Sequence, residues 1–167
     1  MKARKEKFKE GNEKFKTKHG VFDEFTNRTI FKLITEGHFR GLESPINIGK
    51  ESNVFSAITE QGDRVIVKIY RLETCDFNLM YDYIKDDPRY TNLKRKRRRI
   101  IFAWVQREYR NLMNAREAQV SVPIPITFAN NVLVLESIGK NSLIAPMLKD
   151  SIPKNKKLFF FANHQNL

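Results

Sequence analysis

The sequence predicts a small α+β lobe: a five-stranded antiparallel sheet crossed by one long helix, with a helical extension in front. Three observations predict it. Short alternating runs separated by tight turns fill residues 42–70, an uninterrupted helical period fills residues 100–118, and two further strand-like runs flank Asn130-Asn131. An antiparallel sheet with one helix packed across it is the layered arrangement that buries all of these apolar faces in one core.

Residues 1–40 form the basic N-terminal extension. Residues 1–19 alternate Lys and Glu around Phe8 and Phe15, the pattern of a frayed amphipathic helix or a disordered basic arm. Thr26 or Asn27 then caps a helix carrying Ile30, Phe31, Leu33 and Ile34, which Gly37 ends. The lobe proper covers residues 41–138. Its first strand is Leu42–Ile48, its second Asn53–Thr59 after the Gly49-Lys50-Glu51 connection, and Gln61-Gly62-Asp63 turns the chain into Arg64–Tyr70. Residues 71–99 hold no sustained period and contain Asp86-Asp87-Pro88 and the run Lys94-Arg95-Lys96-Arg97-Arg98-Arg99, so they read as a flexible insertion. Ile100–Ala118 is the clearest helix, with Ile101, Trp104, Val105, Leu112 and Ala115 on one face. Ile126–Phe128 and Val132–Glu136 close the sheet as a hairpin through Asn130-Asn131, a pair tolerant of positive φ.

Composition narrows the classes of partner. Thirty-one Lys+Arg against nineteen Asp+Glu leave a charge of +12, clustered rather than spread, which points to a polyanion such as RNA or ribonucleoprotein; the alternative is a soluble protein from a lysine-rich proteome. A 41% apolar content supports a packed core. The single cysteine, Cys75, excludes an internal disulfide framework, and scattered His19, His38 and His164 suggest no metal site. No apolar stretch approaches the ~18 residues of a membrane span, and Met1–Lys5 leads into no apolar region, so a cytoplasmic protein is expected.

Lys68 is the first candidate for chemistry. It shares a strand face with Ile66 and Tyr70, opposite Val65, Val67 and Ile69, and among such neighbours it needs an anionic partner or an exit to water. The alternative is a solvated lysine on an edge strand. Glu108 lies four residues from both Trp104 and Leu112, on the apolar stripe of the strongest helix, where an acid answers a buried cation; the alternative is pairing with Arg107 or Arg110. A strand lysine and a helix glutamate forty residues apart are the pair with which a kinase holds ATP phosphates. The loop between the first two strands is not a phosphate-binding Walker loop, since Glu51 follows Lys50 and Ser44 stands at the leading glycine position. Gly49 is its only glycine, so by itself it also reads as a plain hairpin turn.

Several ordered motifs together resemble one family. They are Gly49 through Phe55, Val67-Lys68-Ile69-Tyr70-Arg71, Asp82-Tyr83-Ile84, Asp87-Pro88-Arg89-Tyr90, Trp104 with Arg107 through Leu112, and Asn131 through Gly139. They resemble the RIO kinases, a group of atypical serine/threonine protein kinases, and within them the first, archaeal-like subfamily. The resemblance runs from about residue 20 to 150 and implies a protein-kinase-like amino-terminal lobe with an αC-type helix. It implies that Ile48, Gly49, Lys50 and Glu51 belong to the phosphate-covering loop, that Lys68 contacts phosphate, and that Glu108 pairs with Lys68. It further implies that Leu135 guards the pocket while Glu136 and Ile138 offer backbone groups to adenine. ATP with Mg²⁺ or Mn²⁺ is the implied cofactor set, and the precursor small ribosomal subunit or its rRNA the implied partner. Asn47 and Ile48 depart from the usual Ser and Thr, and Ser52 from the usual Ala. Residues 139–167 read as the hinge and the start of a second lobe whose likeness stops after Ser151. No catalytic aspartate, Asp-Leu-Asp or Asp-Phe-Gly motif is present, so a truncated or shifted reading frame and a chain inactive alone are expected. The competing expectation is a non-catalytic RNA- or ribosome-binding module that uses Lys94–Arg99.

Overall fold

The computed structural model describes residues 22–91, 93–140, 143–146, 150, 151 and 155. The basic arm over residues 1–19, and the tail from Lys154 with its Leu158–Phe161 run and His164, lie outside them, Asn155 excepted.

Helix α1, Glu24–Thr35, begins earlier than the sequence suggests. Asp23 is the cap, its Oδ1 accepting from the Thr26 amide at 3.0 Å. Thr26 is one turn inside the helix because its hydroxyl is committed elsewhere. It donates to Asp23 Oδ2 at 2.7 Å and accepts from Asn131 Nδ2 at 2.9 Å. Gly37, at φ +83°, supplies the left-handed residue just past the helix end.

Strands β1 (Leu42–Ile48), β2 (Ser52–Ile58), β3 (Arg64–Tyr70), β4 (Pro125–Ala129) and β5 (Val132–Glu136) form one antiparallel sheet in the order β1-β2-β3-β5-β4. The second strand starts and stops one residue before the expected Asn53–Thr59. Thr59 belongs to the turn instead, where its hydroxyl accepts from the Asp63 amide at 3.1 Å. Asn130, at φ +50°, turns the β4–β5 hairpin as its residue type predicts.

Residues 71–99 are where the structure departs most from the sequence reading. They hold helix α2 (Phe77–Ile84), a 3₁₀ turn (Pro88–Tyr90) and the first turn of helix α3 (Arg97–Glu117). Leu72, Cys75, Met80, Ile84 and Tyr90 are all buried. Asp76 caps α2 through the Leu79 amide at 3.1 Å. Asp87 caps the 3₁₀ turn through the Arg89 amide at 3.0 Å and also reaches Arg107 of α3 at 3.4 Å. A helix of two turns shows too few repeats for its period to stand out, which is why the segment looked irregular. Arg97, Arg98 and Arg99 are therefore helical, not part of a loop.

Two apolar layers cover the sheet. Val65, Val67 and Ile69, with Phe55, Ala57, Val132 and Val134, pack against Ile30 and Leu33 of α1 and against Phe39. On the other face Tyr70 and Leu133 meet Ile100, Ile101 and Val105 of α3, joined by Leu72, Cys75 and Met80. Each fully buried aliphatic side chain contributes about 1.5–3 kcal/mol, so β3, central and covered on both faces, is a firmly anchored platform for Lys68. After β5 a small hairpin, β6 (Gly139–Lys140) and β7 (Leu143–Ile144), follows the Glu136–Ile138 segment. No helix among the described residues is long and apolar enough to cross a membrane.

Candidate functional site

Lys68 stands in the middle of β3, between Val54 of β2 and Leu133 of β5. Cross-strand partners share a face, so Val54, Ile66 and Leu135 lie on the same side of the sheet as the lysine. That is also the side crossed by α3. Lys68 Nζ donates to Glu108 Oε1 at 2.8 Å, bringing together two residues forty positions apart. Their side chains are 26% and 25% exposed, so the pair is partly shielded but still open to a ligand. Arg107 does not take Glu108; it turns to Asp87 instead.

The other oxygen of Glu108 accepts from the Tyr70 hydroxyl, which in turn accepts from Trp104 Nε1 at 3.3 Å. Lys68 Nζ lies 5.0 Å from the Tyr70 ring centroid, within cation–π range. Burial first, and then the Glu108 charge, push the Tyr70 hydroxyl far above the ordinary tyrosine value, so it stays protonated as a donor. Sequence reasoning placed Tyr70 on Lys68's face but gave it no role. The i, i+2 alternation on β3 and the i, i+4 step from Trp104 to Glu108 were the available signal.

The β1–β2 loop closes through the Gly49 amide donating to the Ser52 carbonyl at 3.0 Å. Among the described residues, the Lys50 and Glu51 amides have no hydrogen-bond partner. Ile48, assigned to the same site from the sequence, is placed differently. Its partner is Asn53, which pairs with Ile69 on the α1 face, so register puts Ile48 on the side away from Lys68. Asn47, opposite Val54, falls on the lysine's side instead. Two register shifts, between Leu42 and Pro45 and between Pro45 and Asn47, cancel in their effect on facing, so Ile48 ends on the same side as Leu42.

At the far end of the face, Leu135 is half-buried opposite Ile66. The Glu136 carboxylate accepts from the Ile124 amide at 2.9 Å, turned toward the β4 side. The Ile138 carbonyl accepts from the Ala145 amide at 2.8 Å, so the group Ile138 can offer a ligand is its N–H. A cleft of ≈ 490 Å³ lined by Arg64, Val65, Ile124, Ile126, Glu136 and Leu143 includes neither Lys68 nor Glu108. Chemistry rather than concavity therefore picks out the Lys68 face. Lys94 through Arg99 are all exposed and lead into α3, away from these residues in sequence. Arg97 donates to the Glu73 carbonyl, Arg95 to Asn78 Oδ1 at 3.0 Å, and Arg98 lies over the Phe25 ring at 5.0 Å. Among the described residues no group of three or more His, Cys, Asp or Glu could hold a metal ion. The arrangement is an ammonium braced by a carboxylate, an apolar sheet face beside it and open loop amides, which together suit a phosphorylated ligand with a flat apolar part.

Known proteins share this sequence and fold. The RIO domain, as a family, matches residues 53–164, so the likeness extends past Ser151, where motif reading had ended it. The RIO-type serine/threonine-protein kinase Rio1 of Haloferax volcanii is 42% identical over 127 residues, covering 76% of this chain and 44% of its own length. Rio1 of Methanocaldococcus jannaschii is 42% identical over 138 residues, covering 83% of this chain and 47% of its own length. The human serine/threonine-protein kinase RIO1 is 33% identical over 132 residues, 78% of this chain and 23% of that protein. The chain thus spans about half the length of the archaeal relatives it matches. In three dimensions it is similar to the Rio2 kinase of the ADP/Mg²⁺-phosphoaspartate complex from Chaetomium thermophilum. That match has a TM-score of 0.54 at 18% identity and covers 82% of this chain and 38% of that one.

Proposed function

Because the chain belongs to the RIO domain family, we propose that it binds ATP on the Lys68 face of its sheet, as the amino-terminal lobe of a RIO-type serine/threonine protein kinase. The observation that carries this reading is the 2.8 Å contact between Lys68 and Glu108. A lysine held in this way presents its ammonium as a fixed point charge to phosphate oxygens. The Lys50 and Glu51 amides, without a partner among the described residues, would add donors, as phosphate-covering loops do. Leu135 would border the adenine, with backbone groups of Glu136 and Ile138 at its edge. The Chaetomium relative holds ADP and Mg²⁺, and Mg²⁺ or Mn²⁺ is expected to accompany the nucleotide. The described residues do not fit a metal site of their own, so no step is assigned to the ion.

Titration of the 167-residue chain with ATP and with adenosine tests the proposal. ATP should bind more tightly than adenosine, and Lys68→Ala should abolish the difference. Equal binding of ATP by Lys68→Ala and the parent would overturn it. With no aspartate-bearing catalytic loop or Asp-Phe-Gly motif in the sequence, we expect binding without turnover above the Lys68→Ala control.

A second reading concerns the six exposed cations Lys94–Arg99, which favour contact with a nucleic acid. For a RIO protein the natural candidate is the precursor small ribosomal subunit or its rRNA, met in the cytoplasm. The two readings are compatible, because the basic run and the Lys68 face share no residue.

A further inference from the structure

The segment that follows β3 is tied to the β1–β2 loop at two successive carbonyls. The Thr74 hydroxyl donates to the Lys50 carbonyl at 2.7 Å. The next carbonyl, that of Glu51, accepts both the Arg71 amide at 2.9 Å and the Cys75 thiol at 2.9 Å. We propose that Thr74 and Cys75 are positioning residues that hold this loop so that its amides meet the phosphates of a bound nucleotide. The inference rests on the reading of the Lys68 face as an ATP site.

The argument is one of peptide geometry. In a trans peptide the C=O and the following N–H point in opposite directions within one plane. Pinning the Lys50 carbonyl toward Thr74 therefore fixes the Glu51 N–H away from it. Pinning the Glu51 carbonyl does the same for the Ser52 N–H. A loop with three glycines can mould itself around phosphate by backbone freedom; this one has Gly49 alone, and Gly49 spends its amide inside the turn. Its donors must be aimed by contacts from outside the loop, and residues 71–75 supply those contacts. Cys75 suits the task because it is buried as a neutral thiol, pushed up to about 11 chiefly by that burial, and so remains an S–H donor. Thr74 is exposed, so changing it leaves the core untouched.

The test uses the full chain with Thr74→Val, Thr74→Ser and Cys75→Ala, titrated with ATP and with adenosine, alongside hydrogen exchange of the Lys50–Ser52 amides. Thr74→Val should weaken ATP by roughly three- to tenfold, the range one hydrogen bond carries, with adenosine unchanged and loop exchange faster. Thr74→Ser should restore both readings. Cys75→Ala should have the smaller effect, since the Arg71 amide still holds the same carbonyl. Unchanged ATP affinity in Thr74→Val, or an equal loss for adenosine, overturns the proposal. If the parent chain prefers ATP no more than adenosine, the ATP-site reading itself has failed, and accelerated exchange would then leave a purely structural latch.

Discussion

Lys68 and Glu108 meet at 2.8 Å across the interface between the central strand and the long helix, forty residues apart in sequence. Because each side chain is about a quarter exposed, the pair is neither a screened surface bridge nor a fully desolvated one. Glu108→Gln should lower ATP affinity by roughly tenfold, about what a charge-assisted hydrogen bond carries. The Lys68→Ala/Glu108→Gln double variant should bind no worse than Lys68→Ala alone. Additive losses in that cycle, read by calorimetry, would show that the two side chains act separately.

Tyr70 is expected to matter for stability before it matters for binding. Its hydroxyl satisfies Glu108 and Trp104 at once inside the α3 layer. Tyr70→Phe keeps the ring and strips both partners of their bond, at a cost of about 1–3 kcal/mol in urea denaturation. Since the folded hydroxyl titrates above its unfolded value, the stability it contributes is complete below about pH 10. It is lost as pH rises further and the unfolded tyrosine ionises. Alkaline melts of the parent should fall off above that pH more steeply than those of Tyr70→Phe.

Much of this site was legible in the sequence, for reasons that can be named. Alternation on Arg64–Tyr70 separates Lys68 from Val65, Val67 and Ile69, and the helical stripe points Glu108 the same way. What stayed hidden depended on partners distant in sequence. The Asp23 cap prevails over Thr26 because Asn131, 105 residues on, takes the Thr26 hydroxyl. The two register shifts in β1 were hidden as well, though they cancel and leave Ile48 on the face of Leu42, away from Lys68. The folded segment around α2 was missed because its apolar residues belong to two short elements, each too brief to display a period.

Asp87 joins the 3₁₀ turn to α3. Hydrogen bonds from Arg89, with Arg107 adding a further one, hold its carboxyl well below the usual carboxylate range. A depressed folded value means that the contribution is present above about pH 4 and is lost as pH falls toward the folded value. Asp87→Asn should therefore lower the thermal midpoint at pH 7 and leave it nearly unchanged in strong acid. No gap between parent and variant at any pH would show that Asp87 acts only as the cap of the 3₁₀ turn, a role asparagine fills equally well.

The basic run makes the last prediction, and the structure sharpens it. Arg97, Arg98 and Arg99 occupy the first turn of α3, whose start has no acidic residue and no side-chain cap. Positive charges there oppose the helix dipole, at about 0.3–1 kcal/mol each. A cluster that costs helix stability and still stays exposed is suited to meeting phosphate from outside. Replacing Lys94, Arg95, Arg97 and Arg98 by Ser should flatten the log-affinity against log-salt slope for single-stranded RNA by roughly three units, at ~0.7–0.9 per contact. The same variant should melt no lower than the parent, because the helix start is relieved of like charge. Loss of RNA affinity together with a clear drop in melting temperature would mean that the arginines serve the fold through Glu73, Asn78 and Phe25. An unchanged slope would assign the run to solvent alone.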